Sequence, residues 1–239
     1  LAAFAAGLVA GFVTGFLHTV LGIPDILAGI LSQIALYSIN LNIMGMANQA
    51  LSVDKYNLLV SLREVQKSIL VSVIFAFVII CILYWYFGTE QGCALRATGC
   101  NPNMAKAQGI NVDFMKILAL ALSNGLVALA GGLITQYQGF ADINMGRGAI
   151  VIGLAAVIIG EVLGEALLAK HLNFMGRLIF VVIGGIIYYI VVGIVLWLKM
   201  PTNDLKLFTA IIVAIFLAVP YLRAKSRNSF AKAAKKGAE

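Results

Sequence analysis

RATGCNPNMAKAQGI, residues 96–110, is a polar stretch punctuated by Gly and Pro between two long apolar runs, 69–87 and 114–135. Each flanking run approaches the ~20 residues that carry a helix across ~30 Å of hydrocarbon. Lipid cannot satisfy the backbone of a polar insert, so 96–110 must lie in water or against a partner. The surrounding chain is 62% hydrophobic and 11% charged, with a mean hydropathy of +0.99. That is a membrane composition.

Outward from this insert, apolar runs occur at 1–17, 26–47, 69–87, 114–135, 149–168, 178–198 and 207–221. They predict an all-α polytopic transmembrane helix bundle with about seven spans. The transmembrane domain is expected over 1–222, with a basic tail at 223–239; within 139–165 a spanning helix and a re-entrant segment are both open. The chain starts at Leu1 inside an apolar run without a Met, and the expectation is that first spans precede it. The tail carries Arg223, Lys225, Arg227, Lys232, Lys235 and Lys236. A basic tail after a last span is usually a cytoplasmic anchor on anionic headgroups, so the net charge of +7 points to membrane lipid and not to nucleic acid. With the tail inside, 88–113 and 169–177 are also inside, and 48–68, 136–148 and 199–206 are outside. Eleven of the seventeen Lys and Arg then lie inside, a bias set by the tail alone. The outer loop holds Lys55, Arg63 and Lys67 against Asp54 and Glu64, and SLREVQKSIL is read as the start of an interfacial amphipathic turn.

No catalytic constellation is visible. His18 and His171 are solitary, and no HExxH, CxxC or GxxxxGK[ST] occurs, so the chain is not expected to be an enzyme or to bind ATP through a P-loop. Cys81, Cys93 and Cys100 lack metal-ligand spacing and are odd in number. Neither a filter loop nor a ring of charge for an ion channel is apparent. Asp25, Glu161 and Glu165 all fit at span ends. Gly15, Gly22 and Gly29 recur every seven residues, and Gly125, Gly131 and Gly132 sit among Ala and Ser. Such runs read as closely packed membrane helix faces.

Amides are the main polar groups entering the spans. Asn40, Asn42, Asn48, Asn124, Gln136 and Gln138 either bond between helices, worth ~0.6 kcal/mol each, or line a solute path. Both readings stand. In the insert itself, Asn101-Pro102 favours entry into a short helix over 102–108, with Pro at its first position and a stop at Gly109. Lys106 is exposed on that stub, at the membrane surface.

ALRATGCNPNMAKAQGINVDFMKILALALSNGLVALAGGLITQYQGFADINMGRGAIVIGLAAVIIGE resembles the C-terminal core of permeases of ATP-binding-cassette importers, in the ribose and branched-chain amino-acid group. IPDILAGILSQIALYSINLNIMG resembles the same group, and the branch it is most similar to is that of tryptophan/tyrosine-type or uncharacterised transport permeases. The resemblance covers roughly 7–222. It implies a permease that dimerises, works by alternating access, and is driven by cytoplasmic ATPases that carry ATP and Mg. It further implies an extracytoplasmic solute-binding protein, a bacterial inner-membrane location and a cytoplasmic coupling helix seated on the ATPase. The residues of this loop that match the family's coupling helix are Arg96, Ala97, Gly99, Asn101, Ala105 and Gly109, to which the stub adds Pro102 and Met104, with Met104 and Ala105 expected against the partner. Cys100 stands where an acidic residue is common. The amides with the aromatics Tyr37, Tyr188, Tyr189 and Trp197 suit a neutral or zwitterionic small solute, and an amino acid is the expectation; an ATP-independent channel or facilitator and a scaffold without a solute path are the rival readings.

Overall fold

The computed structural model describes residues 1–51, 60–61, 64–146, 149–168, 173–197, 211 and 214. They form two compact units, Leu1–Gly146 and Arg147–Glu239. The first unit runs α1 (Ala2–Thr19), α2 (Asp25–Met44), β1 (Asn48–Ala50), α3 (Val65–Gly88), α4 (Glu90–Cys100), α5 (Pro102–Ala107), α6 (Val112–Gln138) and β2 (Phe140–Asp142). In the second, α7 (Ala149–Leu168) packs on α8 (Phe174–Trp197).

The all-α polytopic bundle is what the chain forms. Five helices among the described residues are long and apolar enough to cross a membrane: Ala2–Thr19, Asp25–Met44, Val65–Gly88, Val112–Gln138 and Phe174–Ile194. This is fewer than the expected seven. The expected run at 149–168 is also a helix with the anticipated bounds, Ala149–Leu168. The run at 207–221 lies outside the described residues except for Ile211 and Ala214, and the tail at 223–239 lies outside them entirely. Of the segment left open between a span and a re-entrant piece, Phe140–Asp142 is a strand, 143–146 a turn and Ala149–Leu168 one continuous helix. Of SLREVQKSIL, residues 62 and 63 lie outside the described residues; α3 takes in the rest from Val65, with Lys67 paired to Glu64 at 2.6 Å.

Small residues set the packing of the first unit. Lipid tails are as apolar as Leu, so helices in a bilayer associate through close fit and not through water exclusion. Gly7, Gly11 and Gly15 form one buried edge of α1, four residues apart. They meet α6 in antiparallel order. A Cβ on Gly7 would stand 2.6 Å from Ala128 Cβ, one on Gly11 2.7 Å from Ala121 Cα, and one on Gly15 2.8 Å from Ile117 Cα. Of the heptad-spaced glycines expected to pack, Gly15 alone does. Gly22 lies in the α1–α2 turn at φ +66°, and Gly29 has nothing within 4 Å of its Cβ direction. Gly125 receives Phe4 and Leu8 from α1, whereas Gly131 faces open space. In the second unit Gly160 lies against the backbone at Phe180 and Val181, and Gly184 against that of Ala156 and Gly160. The buried Ala155, Ile159 and Tyr188 form the core beside these contacts.

Polar ties join α1 to α2. Thr14 Oγ1 donates to Ser32 Oγ at 2.8 Å, and the Ser32 hydroxyl donates to the Ala28 carbonyl at 2.9 Å. His18 is not solitary: its Nδ1 lies 2.8 Å from Asp25 Oδ1, and its Nε2 lies 3.2 Å from Lys116 Nζ on α6. At the other end of α6, β1 and β2 form an antiparallel ladder with Asn48 opposite Asp142 and Ala50 opposite Phe140. The ladder brings the C-terminal ends of α2 and α6 together, and it puts 48–51 and 139–143 at one end of the unit. Gly45 (φ +71°) closes α2 and Gly139 (φ +76°) closes α6 just before the strands.

Candidate functional site

The polar insert folds as a helical corner, and more of it is helical than the sequence shows. α3 gives way to α4 across Thr89 alone. The Thr89 hydroxyl donates to the Tyr86 carbonyl at 2.6 Å and accepts from the Gly92 N–H at 3.3 Å, so one side chain ends one helix and opens the next. Gly92 permits the fold-back, because a Cβ there would collide with the backbone of Tyr86 and Phe87. Glu90 in the first turn of α4 suits the positive helix end. Thr98 is buried, its hydroxyl bonded to the Ala94 carbonyl at 2.8 Å.

Asn101 then serves both helices. Its N–H bonds the Ala97 carbonyl at 3.0 Å as α4 ends, and its Oδ1 accepts from the Met104 N–H at 3.1 Å as α5 starts. Pro102 occupies the first turn, where a missing N–H costs nothing. α5 runs over Pro102–Ala107 and ends as the sequence predicts. Gly109 takes φ +84°, and the Ile110 N–H reaches back to the Ala105 carbonyl at 3.1 Å. Asn111 opens α6 by accepting from the Phe114 N–H at 3.1 Å. Every terminus of this short helix therefore has a local cap, although six residues alone could not hold a helix in water.

The residues assigned to coupling divide between two sides of this corner. Arg96, Gly99, Asn101, Pro102, Met104 and Gly109 are exposed, and Ala97 is half-buried. Ala105 is only 2% exposed while Met104 is 60% exposed. Ala105 is thus an inward anchor of α5 within this chain, and Met104 is the outward apolar side chain. Of the two residues expected against a partner, Ala105 is already covered by this chain, and Met104 is exposed. A six-residue helix is too short for its sequence pattern to tell the inward side from the outward one.

The amides do not form one site. Asn40 and Asn42 are exposed on α2, Asn48 is exposed in β1, and Gln138 is exposed at the end of α6. Asn124 turns its Nδ2 onto the Leu120 carbonyl at 2.9 Å, a bond within its own helix. Gln136 differs: its Oε1 is buried without a hydrogen-bond partner. The β1–β2 ladder collects Asn48, Gln136 and Gln138 at the end of the unit remote from α5, whereas Asn124 sits at mid-helix beside Gly7. No group of three or more His, Cys, Asp or Glu able to hold a metal occurs among the described residues.

Sequence reasoning missed two features. The polar composition of α4 resembles that of a loop, and only the Thr89 cap signals the helix. The His18–Lys116 contact had a readable clue, since a Lys just inside a span requires a polar partner.

Comparison with known proteins bears on the whole chain. The family described as "Branched-chain amino acid transport system / permease component" matches residues 1–220. A "Tyrosine transport system permease protein" of Clostridioides difficile is 38% identical over 97% of this chain and 76% of its own length. An uncharacterised protein of Rickettsia prowazekii is 33% identical over 90% of this chain and 76% of its own length. No solved structure matches.

Proposed function

The chain belongs to the branched-chain amino acid transport permease family, and from that membership we propose that it is the membrane half of an ATP-driven importer for a small solute, an amino acid. As a member of the family it is a multi-pass transmembrane permease and a transport subunit, not a catalytic enzyme. The finer reading is that a pair of cytoplasmic ATPases drives a permease homodimer in a bacterial inner membrane, with solute delivered by an extracytoplasmic binding protein. ATP and Mg are bound by the ATPases, and no group of this chain is assigned to them. Tyrosine is the first solute to test, because a relative with 38% identity carries that name.

The observation that supports coupling is the geometry of α5. It is a helix capped at both ends, anchored inward by Ala105, with Met104 outward and a four-residue passage of Gln108, Gly109, Ile110 and Asn111 into α6. An effector shifts a conformational equilibrium only if it interacts differently with the two states. ATP does so on the ATPases, and a rigidly capped helix seated on them passes the difference to α6. Alternating access then follows from reorienting the spans.

Met104→Glu tests this reading. It places a charge in the proposed contact without entering a span or the buried side of α5. Capture of a Walker-motif ATPase by the tagged permease should fall on the order of a hundredfold, the cost of an unpaired charge in an interface, while membrane insertion is unchanged. Uptake of labelled tyrosine should stop when ATP is depleted. Undiminished ATPase capture by Met104→Glu would remove α5 from the contact. ATP-independent uptake would make the protein a facilitator, and absence of any uptake would favour a scaffold.

A further inference from the structure

The contact of α1, α2 and α6 at the α5 end of the unit is a chain of three side chains, and we infer that Lys116, His18 and Asp25 form a positioning relay that makes α2 follow the coupling helix. The inference rests on reading α5 as the ATPase contact and adds the residues that carry its movement onward.

The hydrogen-bond pattern assigns the protons. His18 Nδ1 has two acceptors within reach, Asp25 Oδ1 at 2.8 Å and the Ile23 carbonyl at 2.9 Å. Nδ1 therefore carries the proton and donates, which leaves Nε2 as the acceptor for the Lys116 ammonium at 3.2 Å. The chain reads ammonium, neutral imidazole, carboxylate, and it crosses from α6 through α1 to the first residue of α2. Its members polarise one another in the same direction, which strengthens each bond. The His18 side chain is 18% exposed and that of Asp25 82%, so the Lys–His link is the sheltered one and the Asp end is wet.

Placement makes the chain a relay and not only a staple. Lys116 lies in the opening turns of α6, directly after the short passage from α5. The Ile110 N–H bonded to the Ala105 carbonyl and the Asn111 cap make that passage stiff. α1 is locked along α6 by backbone-close glycine contacts, so α1 and α6 move as one body. α2 meets α1 over a shorter edge, the buried Ala28 and Ser32 near its start, with Gly29 open; the polar ties between the two helices are Thr14–Ser32 and the His18 chain. Displacement of α5 thus reaches α2 through polar groups.

The test uses the full permease co-expressed with its ATPase in membranes, with Cys81, Cys93 and Cys100 replaced by Ser. Ile43→Cys, at the far end of α2, reports α2 by its maleimide reactivity before and after trapping with ATP and vanadate. The expected result is an ATP-dependent change in the parent, its loss in Lys116→Met and in Asp25→Ala with ATPase capture intact, and its return in Lys116→Arg, which keeps a donor. Lys67→Met, which removes a charge from the exposed Glu64 pair on α3, should leave the change in place. A change that persists in both Lys116→Met and Asp25→Ala, or a parent that captures ATPase but shows no change at Ile43→Cys, overturns the relay. A parent that captures no ATPase overturns the coupling reading itself, and the relay falls with it.

Discussion

Gly109 shows at the residue scale how far local chemistry reaches. Its φ of +84° lies in the left-handed region, and nothing stands within 4 Å of its Cβ direction. A substitution there is strained by backbone alone and not by crowding. Gly109→Val should cost roughly 1–3 kcal/mol, while Gly109→Asn should cost clearly less, because Asn tolerates this conformation. Thermal unfolding of the purified permease would rank the two, and equal losses would mean that the exit from α5 is not held in this geometry. Ala105 carries the opposite lesson. A charge at Ala105 enters a site buried inside the chain, so Ala105→Glu is expected to lower expression and stability and is no clean probe of partner binding. The sequence located the Asn101, Pro102 and Gly109 signals because caps are bonds between residues three to five apart. It could not tell Ala105 from Met104, because their difference lies in what packs over α5.

At the scale of elements, the interface of α1 with α6 depends on which glycines touch. A side chain on Gly11 has to pass through the backbone at Leu120 and Ala121, so Gly11→Val should force α1 away and destabilise by about 1–3 kcal/mol or more. Gly29→Ala meets nothing and removes a flexible residue from a helix interior, so it should be neutral or stabilising by up to about 1 kcal/mol. Comparing the detergent-resistant unfolding of both variants checks the assignment, and a neutral Gly11→Val would contradict the antiparallel contact. The seven-residue spacing of Gly15, Gly22 and Gly29 was misleading for a definite reason. α1 ends at Thr19, so Gly22 serves a turn, and Gly29 belongs to another helix with its own facing. The four-residue spacing of Gly7, Gly11 and Gly15 is the one that keeps a single edge toward α6.

At the scale of the whole molecule, the first unit has two chemically distinct ends. One holds α4, α5 and the α1–α2 turn, tied by the Lys116–His18–Asp25 chain; the other holds the β1–β2 ladder. If the α5 end is cytoplasmic, a membrane-impermeant maleimide added to intact cells should label Asn144→Cys and spare Cys100, in a background where Cys81 and Cys93 are Ser. Permeabilised cells should label both. Labelling of Cys100 from outside would invert the topology and separate α5 from any cytoplasmic ATPase.

The sequence by itself determined the fold class, the approximate position of six helices, among them the five spans found in the described residues, and the caps that delimit α5. Apolar length and self-satisfied backbone are properties of a single segment, and capping bonds lie within a few residues. Family membership was likewise legible, because the order of polar and Gly-bearing words in 96–161 is a property of the chain. Only the tertiary structure decided which helix faces meet. In lipid one apolar face is as soluble as another, so hydropathy does not rank them, and the contact goes to whichever small residues allow two backbones to approach. Lys116 and His18, 98 positions apart, became partners on the same terms. The close packing of α1 on α6 brought them within reach, and an ammonium at the membrane boundary had to find an acceptor.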